Sequence, residues 1–177
     1  MVTENRMDGD CVLDVRLLGG FEIRVGGQLV PATVWRQRRA AAILKLLALE
    51  PGHRLHREQL LESLWPDLDP ESAANNLRVA LHHARQGLEA AGATPGIFLA
   101  RDADALLLGP RDAVQVDVNL FAMEVARAWQ SADPHVAERA AALYRGALLP
   151  EDLYEEWAVA RGEAIRASYL ALLVRLS

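Results

Sequence analysis

Residues 51–89, PGHRLHREQLLESLWPDLDPESAANNLRVALHHARQGLE, hold the spacing that decides the fold. Leu60, Leu61 and Leu64 fall on one side of a helix from about Arg57 to Trp65, and Pro66 ends it. His56 is a poor N-cap, but Gln59 stands at the third helical position, where it can reach back as half of a capping box. A second helix then starts cleanly. Asp69 can cap it, Pro70 suits its first position, and Glu71 complements the positive end of its dipole. Leu77, Leu81, Ala84 and Leu88 recur at spacings of four, three and four and form one apolar stripe. The opposite face carries Asn75, Asn76, Arg78, Val79, His82, His83, Arg85 and Gln86, while Gly87 weakens the helix end and Gly92 suits a C-cap. Two helices joined by a Pro- and Asp-rich turn, the second with a packed face and a polar face, make the pattern of a helix-turn-helix.

The flanking segments extend that unit. Upstream, residues 12–31 alternate apolar and polar side chains, with Gly19-Gly20 and Gly26-Gly27 as turns, and predict a small antiparallel sheet. From about Arg36 to Glu50 the period becomes helical, with Ala40, Ile43, Leu44, Leu47 and Ala48 on one face. Arg36, Arg38 and Arg39 cluster at its start; a solvated helix edge and a phosphate contact both account for them. Downstream, residues 97–108 (IFLARDADALLL) predict a hairpin with a polar tip at Arg101 to Asp104, which after a helix-turn-helix is a wing. RDAVQVDV then reads as a linker or an edge strand. Beyond Asp117 the periodicity is helical: about 119–130, then 134–145, then one long helix after Pro150 whose apolar surface is Leu153, Tyr154, Trp157, Ile165, Tyr169, Leu172, Leu173 and Leu176.

No apolar run approaches the roughly 18 residues that a membrane span requires. The N-terminus lacks the pattern of a secretory signal, and the lone Cys11 reads as a small buried residue of a reducing cytoplasm. The net charge of −5 argues mildly against nucleic-acid binding. Its distribution matters more. Residues 1–92 hold eleven basic side chains against twelve acids, whereas residues 93–177 hold eight against twelve.

LLGGFEIRVGG, AAILKLLALEPGHRLHREQLLESLWPD, SAANNLRVALHHAR and ALYRGALLPEDLYEEW together cover nearly the whole chain. In this order they resemble the bacterial transcriptional activators of the antibiotic-regulatory type (SARP). Those proteins join an OmpR-type winged helix to a bacterial transcriptional activator domain of tetratricopeptide-like helices. The resemblance implies that the helix from about 70 to 91 enters the DNA major groove, with Asn75, Asn76, Arg78, Val79, His82, His83 and Arg85 as its base-reading positions. It matches Trp65 to an aromatic near the DNA backbone and Arg101 to a wing arginine near the minor groove; Arg36, Arg38 and Arg39 are the further phosphate candidates. The chemistry of the residues agrees: Asn pairs with adenine, Arg with guanine, and Val touches the thymine methyl. The chain departs from the pattern in carrying His82, His83 and Gln86 where arginine is common, and Ala105-Leu106 beside an acidic wing tip.

The expected fold is mainly α with small β-sheets: a winged helix-turn-helix over 11–112, then the start of a tetratricopeptide-like helical domain over 113–177. The expected function is a cytoplasmic, sequence-specific transcriptional activator that binds double-stranded DNA as a homodimer, with RNA polymerase as a further candidate partner. The rival is a protein-interaction module whose winged helix no longer reads DNA. Catalysis is not expected, because neither a Gly-rich phosphate loop nor a G-x-S-x-G elbow is present. Neither a cofactor nor a small-molecule substrate is expected. The His82-His83 and His53/His56 pairs lack the further ligands of a metal site. Repeat helices bury their faces on the next repeat, so Tyr169, Leu172, Leu173 and Leu176 at the chain end predict either truncation from a longer protein or cover by a second copy.

Overall fold

The computed structural model describes residues 12–177; Cys11 lies outside the described residues. The chain begins with β1 (Leu13–Arg16), β2 (Glu22–Val25) and β3 (Gln28–Leu29), paired antiparallel. Alternation sends Leu13, Val15, Ile23 and Val25 into the core. On the other face Glu22 lies 3.4 Å from Arg16 and 2.9 Å from Arg24. A fourth strand, β7 (Val114–Val116), returns after the wing and pairs parallel to β1, Leu13 opposite Val114 and Val15 opposite Val116. The sheet is therefore mixed rather than antiparallel throughout, and RDAVQVDV supplies its edge strand. A parallel partner needs a long crossover, and here the whole helix-turn-helix and wing form it.

A short 3-10 turn (Ala32–Arg36) leads into α1 (Arg38–Leu49), which is buried from Ala40 onward. α2 (Arg57–Leu64) follows, and the His56 N–H donates to the Gln59 side chain at 3.0 Å, the half of the capping box that the spacing predicts. α3 (Pro70–Ala90) starts on Asp69, whose carboxylate accepts the N–H groups of Glu71 and Ser72. Gly87 has a role beyond the expected weak point. A Cβ there would stand 2.5 Å from Val34 Cγ1 and 3.1 Å from the Trp35 ring, so glycine lets the 3-10 turn cross directly over α3.

The helical part comprises α4 (Asp117–Gln130), α5 (Pro134–Ala142) and α6 (Glu156–Leu176). Tyr144 stacks on Tyr169 with ring centroids 4.1 Å apart and also meets Phe121, joining all three helices. Two expectations need correction. The last helix does not begin at Pro150, since Pro150–Asp152 is a separate 3-10 turn and Tyr154, outside α6, is 98% exposed. Of the four residues expected to need cover, Leu172 is fully buried within the chain and Tyr169 and Leu176 pack against the same core, while Leu173 stays exposed. Among the described residues no helix is long and apolar enough to cross a membrane.

Side chains and backbone fuse the two parts. The Asp117 carboxylate, at the start of α4, accepts the N–H groups of Leu17 and Leu18 at 2.9 and 3.0 Å. Burial pushes this carboxyl above its usual value, and those two N–H bonds pull in the opposite direction. Leu149 N–H donates to the Leu17 carbonyl and Gly19 N–H to the Ala147 carbonyl. Lys45, on α1, is buried against Asp152 and Glu151 and lies 4.7 Å from the centroid of the Phe21 ring. Arg161 of α6 donates to the Leu49 carbonyl and to Glu50 at the end of α1.

Candidate nucleic-acid interface

The apolar stripe of α3 turns Leu77, Leu81, Ala84 and Leu88 inward, and the 3.6-residue period then dictates what faces out. Asn75, Asn76, Arg78, Val79 and His82 are exposed; His83 and Arg85 are half-buried. Val79 keeps 47% of its surface, an apolar side chain set among polar ones. Arg78 Nη2 donates to Asn75 Oδ1 at 2.7 Å, so these two side chains are already linked. The His82 and His83 rings sit with centroids 5.8 Å apart and tilted.

Arg85 departs from the expected outward row. Its Nε donates to the Leu99 carbonyl at 3.1 Å, because its helical position faces the wing rather than open solvent. The wing is β5 (Leu99–Asp102) and β6 (Ala105–Leu108), and its sheet has a third strand, β4 (Arg54–His56), in the order β4-β6-β5. Ala105 and Leu106 are buried, so these two wing positions serve the core. The tip is acidic, but Asp102 lies 3.3 Å from Arg54, which offsets part of its charge.

Between α3 and the wing runs an open groove of about 670 Å³. Arg57, Arg78, Arg85 and Arg101 line it, together with Glu71 and Asp104. Arg101 thus shares this groove with Arg78 and Arg85 of α3. Arg36, Arg38, Arg39 and Trp65 do not line this groove. Arg39 lies over the half-buried Trp65 ring, 5.9 Å from its centroid, and Arg38 leans toward Asp152, 3.9 Å away. The basic cluster at the start of α1 is therefore divided between two directions. Arg57 and Glu71 were not singled out as site residues by sequence reasoning. Arg57 reads there only as a helix start, yet its N–H bonds to the Asp104 carbonyl and holds α2 against the wing tip. The signal that could have found it is the alternation Arg54-Leu55-His56 just before it.

The start of α3 is held electrostatically as well as sterically. Hydrogen bonds from the Ser72 side chain and backbone keep the Asp69 carboxyl below its ordinary value, so the cap stays ionised further into acid than a free carboxylate does.

A family model described as "Transcriptional regulatory protein, C terminal" matches residues 32–101, which run from the 3-10 turn before α1 to the wing. In structure the chain is similar to Mycobacterium tuberculosis EmbR, solved in complex with a low-affinity phosphopeptide, with a TM-score of 0.74 and 20% sequence identity. The match covers 93% of this chain and 44% of that one, so the chain spans less than half the length of its structural relative. No curated protein matches the sequence. Residues 32–101 thus match the model of the transcriptional regulatory protein C-terminal family, and the chain has the fold of a winged helix followed by a helical domain.

Proposed function

We propose that the chain is a sequence-specific activator of transcription that lays α3 in the major groove of double-stranded DNA. The observation that carries this reading is the exposed row Asn75, Asn76, Arg78, Val79 and His82, set beside a groove lined by four arginines. Amide, guanidinium and small apolar side chains are the groups that distinguish base edges, and arginines beside them supply phosphate contacts. His83 and Arg85 flank the row, Arg85 acting from the wing side. Arg36, Arg38, Arg39 and Trp65 form a separate candidate contact with the backbone. The protein is placed in the cytoplasm. The winged helix occupies residues up to about 112, and the helices beyond it are tetratricopeptide-like and serve a second protomer or RNA polymerase.

The acidic wing tip favours one rival, a docking module that binds no duplex. Salt separates the two. A DNA reader loses affinity steeply as salt rises because bound counterions are released, and Asn76→Ala with Arg78→Ala abolishes its preference for an operator. Failure to bind any duplex at low salt would support the docking module instead.

A further inference from the structure

Asn75 and Arg78 lie one turn apart on the exposed face of α3, joined by the 2.7 Å hydrogen bond from Arg78 Nη2 to Asn75 Oδ1. The direction of this bond is set by chemistry. A guanidinium has five N–H donors and no acceptor, so only the carbonyl oxygen of Asn75 can face it. Among the described residues nothing else bonds to the amide NH2 or to the remaining N–H groups of Arg78. The pair therefore offers DNA a positively charged array of donors.

Base edges in the major groove differ in what they accept. Guanine presents two acceptors, N7 and O6; adenine presents N7 beside the N6 amino donor. A free asparagine matches adenine by accepting from N6 while donating to N7. Asn75 is poorly placed for that pairing, because its oxygen is already bonded to a cation and an adenine amino group would approach a neighbour that also donates. Asn76 projects about 100° away round the helix and takes no part in this bond. We propose that Asn75 and Arg78 act as one donor unit that reads guanine, leaving adenine recognition on α3 to Asn76. This assignment rests on the reading that α3 enters the major groove.

The test starts from duplexes selected out of random sequence by the intact chain. The selected sites should contain a guanine whose replacement by adenine or by 7-deazaguanine, which lacks N7, weakens binding about tenfold. Asn75→Ala and Arg78→Ala should relax preference at that same base pair, and their combined effect should fall short of the product of the two. Arg78→Lys keeps the charge but loses the planar fork, so it should also relax the preference. The modified base leaves the protein untouched, so this arm stands even if a variant folds poorly. Unchanged binding to 7-deazaguanine, or relaxation of an adenine by Asn75→Ala and of a different pair by Arg78→Ala, would overturn the donor unit while leaving DNA reading intact. Absence of any sequence-dependent binding would overturn the major-groove reading and the donor unit with it.

Discussion

Replacing Asp152 with alanine tests the seam between the winged helix and the helices that follow. Lys45 is 5% exposed and Asp152 8%, so their charges meet inside the protein. A buried ion pair adds little net stability, because removing two charges from water is expensive. Removing one partner is another matter, since the remaining charge stays buried without its counterion at a cost of about 3–5 kcal/mol. Two neighbours reduce that cost for Lys45: Glu151 at 3.2 Å, with its side chain 41% exposed, and the Phe21 ring. Half-exposed partners of this kind are worth about 1 kcal/mol, so Asp152→Ala is expected to cost about 2–4 kcal/mol. Urea unfolding followed by far-UV circular dichroism measures the loss directly, with an unchanged slope against denaturant as the sign that compactness is preserved. The partner variant, Lys45→Met with Asp152→Leu, removes both charges and fills the same space; it is expected to be neutral or more stable than the parent. A loss below about 1 kcal/mol for Asp152→Ala would mean that the pair behaves as a solvated surface bridge. Equal losses for the single and double changes would refute the charge argument in favour of shape alone.

Gly87→Ala sets two effects against each other: alanine favours a helix by about 1 kcal/mol, but a Cβ 2.5 Å from Val34 Cγ1 overpacks a site at about 1–3 kcal/mol. The variant is expected to melt lower and Val34→Ala to rescue it, whereas a raised melting temperature would show that the 3-10 turn yields freely. Asp117→Asn puts an amide NH2 where one of two N–H groups needs an acceptor, and is expected to cost about 1–3 kcal/mol. Because burial raises the Asp117 carboxyl above its ordinary value of 3.8, the folded state holds this proton more tightly than the unfolded chain; its contribution to stability therefore falls as pH climbs from the ordinary value through the folded one, then levels. Urea midpoints across that range should show this component in the parent and not in Asp117→Asn. Arg85→Ala cuts the bond from α3 to the Leu99 carbonyl, so hydrogen exchange over residues 99–108 is expected to quicken while the centre of α3 keeps its protection; unaltered wing exchange would show the tether to be idle.

The parts of the fold legible in the sequence are those whose causes are local. Asp69, Pro70 and the leucine stripe specify α3 within one stretch of chain, and the structure places its start where they do. β4 and β7 are three-residue strands and carry no usable period. They exist because Arg54–His56 meets Ala105–Leu107 and because Val114–Val116 meets β1 about a hundred residues away. The late start of α6 was hidden for another reason: Leu153 and Tyr154 continue a helical spacing, yet the 3-10 turn at Pro150 and the extended Glu155 separate them from it. Gly87 looked like a flaw because a sequence shows the missing side chain and not the Val34 and Trp35 that take its place.

For the candidate site, the sequence shows which side chains share a face and leaves open which of them bond to one another. Arg78 and Arg85 are both arginines on the polar side of α3, but one is linked to Asn75 in the open and the other to the wing backbone. The same limit explains why a net charge of −5 is a poor guide to this surface. Charges act over a Debye length of about 8 Å at physiological salt, so a distant acid matters little and a paired one less. Asp152 is taken up by Lys45 and Asp102 leans on Arg54. Within the groove itself four arginines face Glu71 and Asp104, a local excess of positive charge on a chain that is acidic as a whole. A strand of phosphates would meet that local field first, and the acids of α4 to α6 would be screened from it.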